Sequence, residues 1–209
     1  IFLALAKEIP GADGKLVANP YKMWNEIDPA LPAKKIEVLG PPPTSGTRDS
    51  FVELVMEKGA EGIEPLKAMK KDDAKAFEKV WKSIREDGAY VEAGENDNKD
   101  AFGIFGFSFL EENASTIKGA EIDGTVPSYE AVAAGEYKVS RPLFIYAKKA
   151  HVGVVPGMAE FMAEYTSDAA LGEDGYLGEK GLVTLPADEL KAVKDAVAGQ
   201  APMKTDELS

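Results

Sequence analysis

Gly40-Pro41-Pro42-Pro43 is the stretch that most restricts what this chain can build. Proline lacks the backbone N–H that a ladder needs, and its ring fixes φ. Three in succession make a stiff connector that no strand or helix runs through. Upstream, Ile36-Glu37-Val38-Leu39 alternates around apolar residues and predicts a short strand. Downstream, Phe51, Val52, Leu54 and Val55 recur at helical spacing, with Gly59 as the expected C-terminal stop. The connector therefore passes from a strand to a helix, and Thr44-Ser45-Gly46-Thr47-Arg48 opens that helix.

Those five residues are equipped to hold a small tetrahedral oxyanion. The first N–H groups of a helix have no partner within it, and the macrodipole favours negative charge there. Ser45 is the expected N-cap, with Gly46, Thr47 and Arg48 in the first turn. Gly46 lets a ligand approach the backbone without a Cβ in the way. Ser45 and Thr47 each offer a hydroxyl, and Arg48 offers a fork of donors that stays charged. Spacing alone is equally consistent with Ser45 as a plain cap and Arg48 as a surface charge.

Composition narrows the classes. The formal net charge of −12, from 24 basic and 36 acidic residues, repels nucleic acid, and no basic stripe offsets it. Net charge acts at long range, whereas a dehydrated anion is held by local dipoles and hydrogen bonds, so an acidic protein can still carry such a site. Cysteine is absent, which removes disulfides, thiolate catalysis and cysteine metal sites; it fits the periplasm and the cytosol alike. No apolar run reaches the length of a bilayer span. The chain lacks an initiator Met, and residues are expected to be missing before Ile1 and near Asn98.

Along the chain, Ile1–Ile9 reads as a helix end stopped by Pro10-Gly11, and Asp13-Gly14 as a turn. Trp24 and Ile27 read as anchors that pack a proline-punctuated loop onto a core. Asp72–Glu86 is the cleanest helix, with Phe77, Val80, Trp81 and Ile84 on one face and Gly88 as its stop. Gly94–Asp100 is polar and turn-rich. Ala101–Phe109, aromatic and glycine-studded, predicts a buried strand, and Val139–Ala147 a second one. Met158, Phe161, Met162 and Tyr165 share a helix face, as do Leu190, Val193 and Val197 after Pro186. Strands and helices alternate, which predicts an α/β architecture.

Enzyme constellations are poorly served. His151 is the single histidine, and nothing in the sequence orients it for a triad. Glu111 and Glu112 are adjacent carboxylates, which usually diverge into water. No phosphate-loop lysine motif, dinucleotide glycine pattern or metal-ligand spacing occurs. The expected assignment is no catalytic residue, no metal and no cofactor: a site for holding rather than reacting.

Six segments together resemble the phosphate-binding proteins of bacterial phosphate ABC transporters, the PstS family. They are Trp24-Asn25-Glu26-Ile27-Asp28 with Leu31-Pro32, then Pro43–Phe51, Phe105–Asn113, Val126-Pro127-Ser128, Val139–Tyr146, and Gly175-Tyr176-Leu177 with Gly181–Pro186. The resemblance implies a two-lobed periplasmic binding protein fold with a ligand cleft between α/β lobes. It implies residues 1–138 as the lobe with the anion loop, 139–147 as the hinge and return strand, and 148–209 as helices of the other lobe. It implies Ser45, Gly46, Thr47 and Arg48 as phosphate ligands; Arg48 is the weaker match, since some members carry their arginine where this chain has Pro41. A periplasmic monomer that hands inorganic phosphate to an inner-membrane ABC permease follows. The rivals are a binder of sulfate or molybdate and a phosphatase-like enzyme. With the first lobe largely unmatched, apolar faces at Phe161 and Val193 are expected to be exposed, and the tail after about residue 150 to be protease-sensitive.

Overall fold

The computed structural model describes residues 1–92, 98, 100–172 and 174–204. Most of the polar stretch Gly94–Asp100 lies outside them. The chain forms two compact units, Ile1–Gly106 and Phe107–Ser209.

In the first unit, Phe2–Leu5 (α1) is one helical turn rather than the longer helix expected across Ile1–Ile9. Glu8–Pro10 (β1) pairs antiparallel with Leu16–Ala18 (β2), Glu8 opposite Ala18 and Pro10 opposite Leu16. This pairing takes the backbone groups that a longer helix would have used. The turn is where Asp13-Gly14 predicts it: Gly14 has φ +77°, and the Gly11 N–H donates to the Lys15 carbonyl at 2.7 Å. Trp24–Ile27 (α2) is a short helix whose half-buried Trp24 and Ile27 pack on the core, as the sequence predicts.

Val38–Gly40 (β3) is the middle strand of a parallel sheet, with Tyr90–Glu92 (β4) on one side and Phe102–Gly103 (β5) on the other. Val38 is in register with both Tyr90 and Phe102. Between β3 and β4 the chain makes Gly46–Phe51 (α3), a π-helical turn Val52–Glu57, Lys58–Glu61 (α4), Glu64–Asp72 (α5) and Ala74–Lys82 (α6). The first three run on without a break, so the rod opened by Ser45 passes Gly59 and ends at Gly62. Gly59 is therefore no stop. It lies inside α4, where a Cβ would come within 2.6 Å of the Phe2 Cβ, and it lets α1 and the rod touch.

Asp73 caps α6, its carboxylate accepting from the Ala76 N–H at 3.0 Å. The helix ends at Lys82, four residues before the expected end. Ile84 bridges to Ala6, and the Arg85 N–H donates to the Leu5 carbonyl at 2.9 Å, so contact with the N-terminal segment ends the helix early. The hydrophobic core gathers Phe2, Leu5, Ile36, Val38, Phe51, Met56, Leu66, Phe77 and Trp81, all in this unit. Each large side chain buried this way contributes about 1.5–3 kcal/mol.

A buried cation ties the termini of these elements. Arg85, 5% exposed, donates to the Tyr21 carbonyl at 2.6 Å and the Ala4 carbonyl at 3.3 Å. Its Nε reaches Asp87 at 2.7 Å, and Lys22 pairs with the same carboxylate.

The strand expected across Ala101–Phe109 is cut to Phe102–Gly103. From Phe107 the chain is helical, Phe107–Glu112 (α7), and Phe109 is 49% exposed. The aromatics satisfied a strand pattern, but only two residues find a ladder partner.

The second unit contains α7, Tyr129–Ala133 (α8), Met158–Tyr165 (α9), Asp168–Leu171 (α10) and Ala187–Ala198 (α11), with 3₁₀ turns at Lys149–His151 and Gly178–Lys180. Ser128 caps α8 and Ser167 caps α10 through their hydroxyls. The strand expected over Val139–Ala147 is not formed among the described residues. Leu143 is 74% and Tyr146 66% exposed, since an apolar run becomes a strand only beside a pairing edge. Phe161 and Val193 are exposed, as the sequence predicts. Among its described residues, the buried apolar side chains of this unit are Ala131, Ala170 and Leu190. Helices alternate with a parallel sheet, so the chain is α/β as expected.

Candidate functional site

The connector and loop leave the carboxyl end of β3, the middle strand, where open α/β sheets bind ligands. Pro41, Pro42 and Pro43 carry the chain off the sheet, and the Ser45 N–H donates back to the Pro42 carbonyl at 3.0 Å. Ser45 has extended backbone angles and caps α3: its Oγ accepts from the Thr47 N–H at 3.3 Å, and its carbonyl accepts from the Asp49 N–H at 3.2 Å. The expected N-cap and first turn are thus formed. Ser45, Gly46, Thr47 and Arg48 are brought into a single helical turn.

Two features of that turn have no structural explanation of their own. Gly46 does not adopt a positive φ, and a Cβ built on it would meet nothing within 4 Å. Neither conformation nor packing demands glycine there, although glycine costs helix stability relative to alanine. Thr47 is half-buried, and among the described residues its hydroxyl has no hydrogen-bond partner.

Arg48 is held. Its guanidinium carbon lies 4.0 Å from the centre of the Tyr90 ring. The Tyr90 hydroxyl donates to the Pro41 carbonyl at 2.7 Å. Burial pushes the Tyr90 phenol up, against the opposing pull of Arg48. Gly40 makes room for this ring: a Cβ there would overlap the Tyr90 hydroxyl. The sequence reading missed Tyr90, whose only signals were a glycine at the end of β3 and an apolar alternation around residue 90. Beside Arg48 lies an open hollow of about 310 Å³, lined by Pro43, Asp49, Val52, Glu53, Trp81 and Lys82. Asp49 and Glu53 make that side mixed in charge.

The catalytic candidates weighed from the sequence lie on exposed elements. His151 ends an exposed 3₁₀ turn, and Glu111 and Glu112 are exposed on α7 rather than on a strand. Among the described residues no cluster of three or more histidine, aspartate or glutamate side chains is arranged to hold a metal. No helix is long and apolar enough to cross a membrane, over the same residues.

A family profile described as a PBP superfamily domain matches residues 2–169. The phosphate-binding protein PstS of Staphylococcus epidermidis is 31% identical over 188 residues, covering 86% of this chain and 52% of the relative. PstS of Staphylococcus saprophyticus is 27% identical over 201 residues, with 92% and 56% covered. The chain spans about half the length of these curated relatives. The crystal structure of a possible phosphate binding protein from Planctomyces limnophilus is 22% identical with a TM-score of 0.56, over 95% of this chain and 69% of that one. That likeness carries the fold alone.

Proposed function

The chain belongs to the PBP superfamily, and we propose that it captures inorganic phosphate at Ser45, Gly46, Thr47 and Arg48 for delivery to a membrane ABC importer. The observation that carries this is the pairing of Gly46, whose missing side chain faces open space, with the Thr47 hydroxyl one residue on, which has no hydrogen-bond partner among the described residues. A phosphate oxygen seated there accepts a hydrogen bond from the Thr47 hydroxyl and approaches the first-turn amides unobstructed. Arg48 supplies charge-assisted bonds from a rigid fork. The PstS names of the relatives support phosphate over other oxyanions.

The protein is a carrier rather than an enzyme in this reading: among the described residues no base stands beside the loop hydroxyls to activate a nucleophile. It acts as a monomer in the periplasm, with the permease as its partner. In this reading residues 1–138, past the boundary of the first compact unit at Gly106, make the lobe that carries the loop, 139–147 the hinge and 148–209 the helices of the other lobe.

Calorimetric titration with phosphate, sulfate and molybdate tests the proposal. Saturable heat with phosphate, weakened by Thr47→Val, is the expected result. Binding of sulfate or molybdate in preference would redirect the site to another oxyanion, and silence with all three would end the reading.

A further inference from the structure

We propose that Tyr90 is a positioning residue for anion capture, aiming Arg48 at the ligand by carrying its guanidinium on the aromatic face. The inference rests on the phosphate reading and goes beyond it. Three observations converge on the ring. Arg48 sits 4.0 Å above its centre. Its hydroxyl donates to the Pro41 carbonyl at 2.7 Å, so the ring is braced against the connector that feeds the loop. Gly40 clears the space the hydroxyl occupies. Tyr90 is in register with Val38 on the neighbouring strand, so the sheet fixes its backbone.

The arrangement has a physical purpose. An exposed arginine loses several rotamers when it clamps an anion, and that loss weakens binding. Stacking on a braced ring removes much of this freedom beforehand. It leaves the edge of the guanidinium, with its N–H donors, available to oxygens. Tyr90 need not touch the ligand to set its affinity. It acts through the electron-rich face of its ring, and the attraction follows the ring's electrostatics rather than its volume.

The test exploits that distinction. In the whole protein, Tyr90 is replaced by phenylalanine and by mono-, di- and trifluorinated phenylalanine, which keep shape while draining the ring face. Phosphate affinity is measured by calorimetry in the wild-type and Arg48→Ala backgrounds. Tyr90→Phe, which removes the brace to Pro41, is expected to weaken phosphate binding by up to about threefold, and the trifluorinated ring about fivefold beyond that, in graded steps. In Arg48→Ala the series is expected to be flat. Affinity indifferent to fluorination with Arg48 present, or equally sensitive without it, overturns the positioning role. If the wild type binds no phosphate, the functional reading fails and this inference with it; if Thr47→Val weakens binding while the ring series is flat, this inference alone fails.

Discussion

Gly59 and Phe2 lie so close that a single added carbon on the glycine would sit 2.6 Å from the Phe2 Cβ. The contact joins α1 to the rod that Ser45 begins. Gly59→Ala should therefore destabilise the protein by about 1–3 kcal/mol through overpacking. This is despite a helix-propensity gain of up to about 1 kcal/mol for alanine. Urea unfolding followed by the fluorescence of Trp24 and Trp81 measures it. A rise in midpoint would mean that α1 moves aside at little cost.

Gly46→Val offers the opposite behaviour. Its side chain enters open space, so the unfolding free energy should change by less than about 1 kcal/mol. Phosphate binding should suffer more than in Thr47→Val, where one hydrogen bond to a charged group is lost, about 1.5–3 kcal/mol. Calorimetry and urea unfolding on the same two variants separate the site from the scaffold. Intact binding in both would remove the loop from the site.

The Arg85–Asp87 pair makes a pH prediction. Bonds from Arg85 first, and then from Lys22, hold the Asp87 carboxyl well below the usual carboxylate range. A depressed folded-state pKa contributes stability that is present above the unfolded value, near 4 for aspartate, and is lost as pH falls towards the folded value. Asp87→Asn should cost about 1–2 kcal/mol at pH 7, discounted because the Asp87 side chain is 40% exposed. Its deficit should shrink below about pH 4, as the carboxyl of the unfolded wild-type chain takes up a proton while the folded one stays ionised. Urea midpoints from pH 7 to about 3 for both proteins measure this; a constant gap would show that the pair is already broken in solution.

Hydrogen exchange should divide the chain. Amides of α6 and of the β3–β4 ladder pack on Phe77, Val38 and Trp81 and should exchange slowest. Those of α9 and α11, whose Phe161 and Val193 face solvent, should exchange early. Mass spectrometry of peptic fragments reads the difference. Equal protection in both units would contradict the packing described.

What was legible in the sequence was local. The Ser45 cap, the Asp13-Gly14 turn and the Phe77, Val80 and Trp81 face of α6 each rest on residues a few positions apart, and each formed as read. What was missed depends on distant partners. A run such as Val139–Ala147 carries strand propensity, yet a strand exists only where another edge meets it. Gly59 looked like an ending because a glycine's reason for being there lies 57 positions away at Phe2. Tyr90 is 42 positions from Arg48, and only the parallel pairing of β4 with β3 brings them together. The loop's residue types suggested an anion site; the ring that meets its Arg48 did not show in one dimension.

The π turn at Val52–Glu57 has a consequence for the loop. Phe51 and Met56 are both buried, although five steps along an ordinary α-helix at about 3.6 residues per turn would leave them about 140° apart. The widened turn absorbs that phase error, so the rod grips the interior on both sides of it while its first turn keeps its own heading. Excising one residue within Val52–Glu57 would swing Thr47 and Arg48 by about 100° about the rod axis relative to Met56 and Ala60. The heading of Ser45–Arg48 is thus written in the spare residue of a helical turn to which none of them belongs.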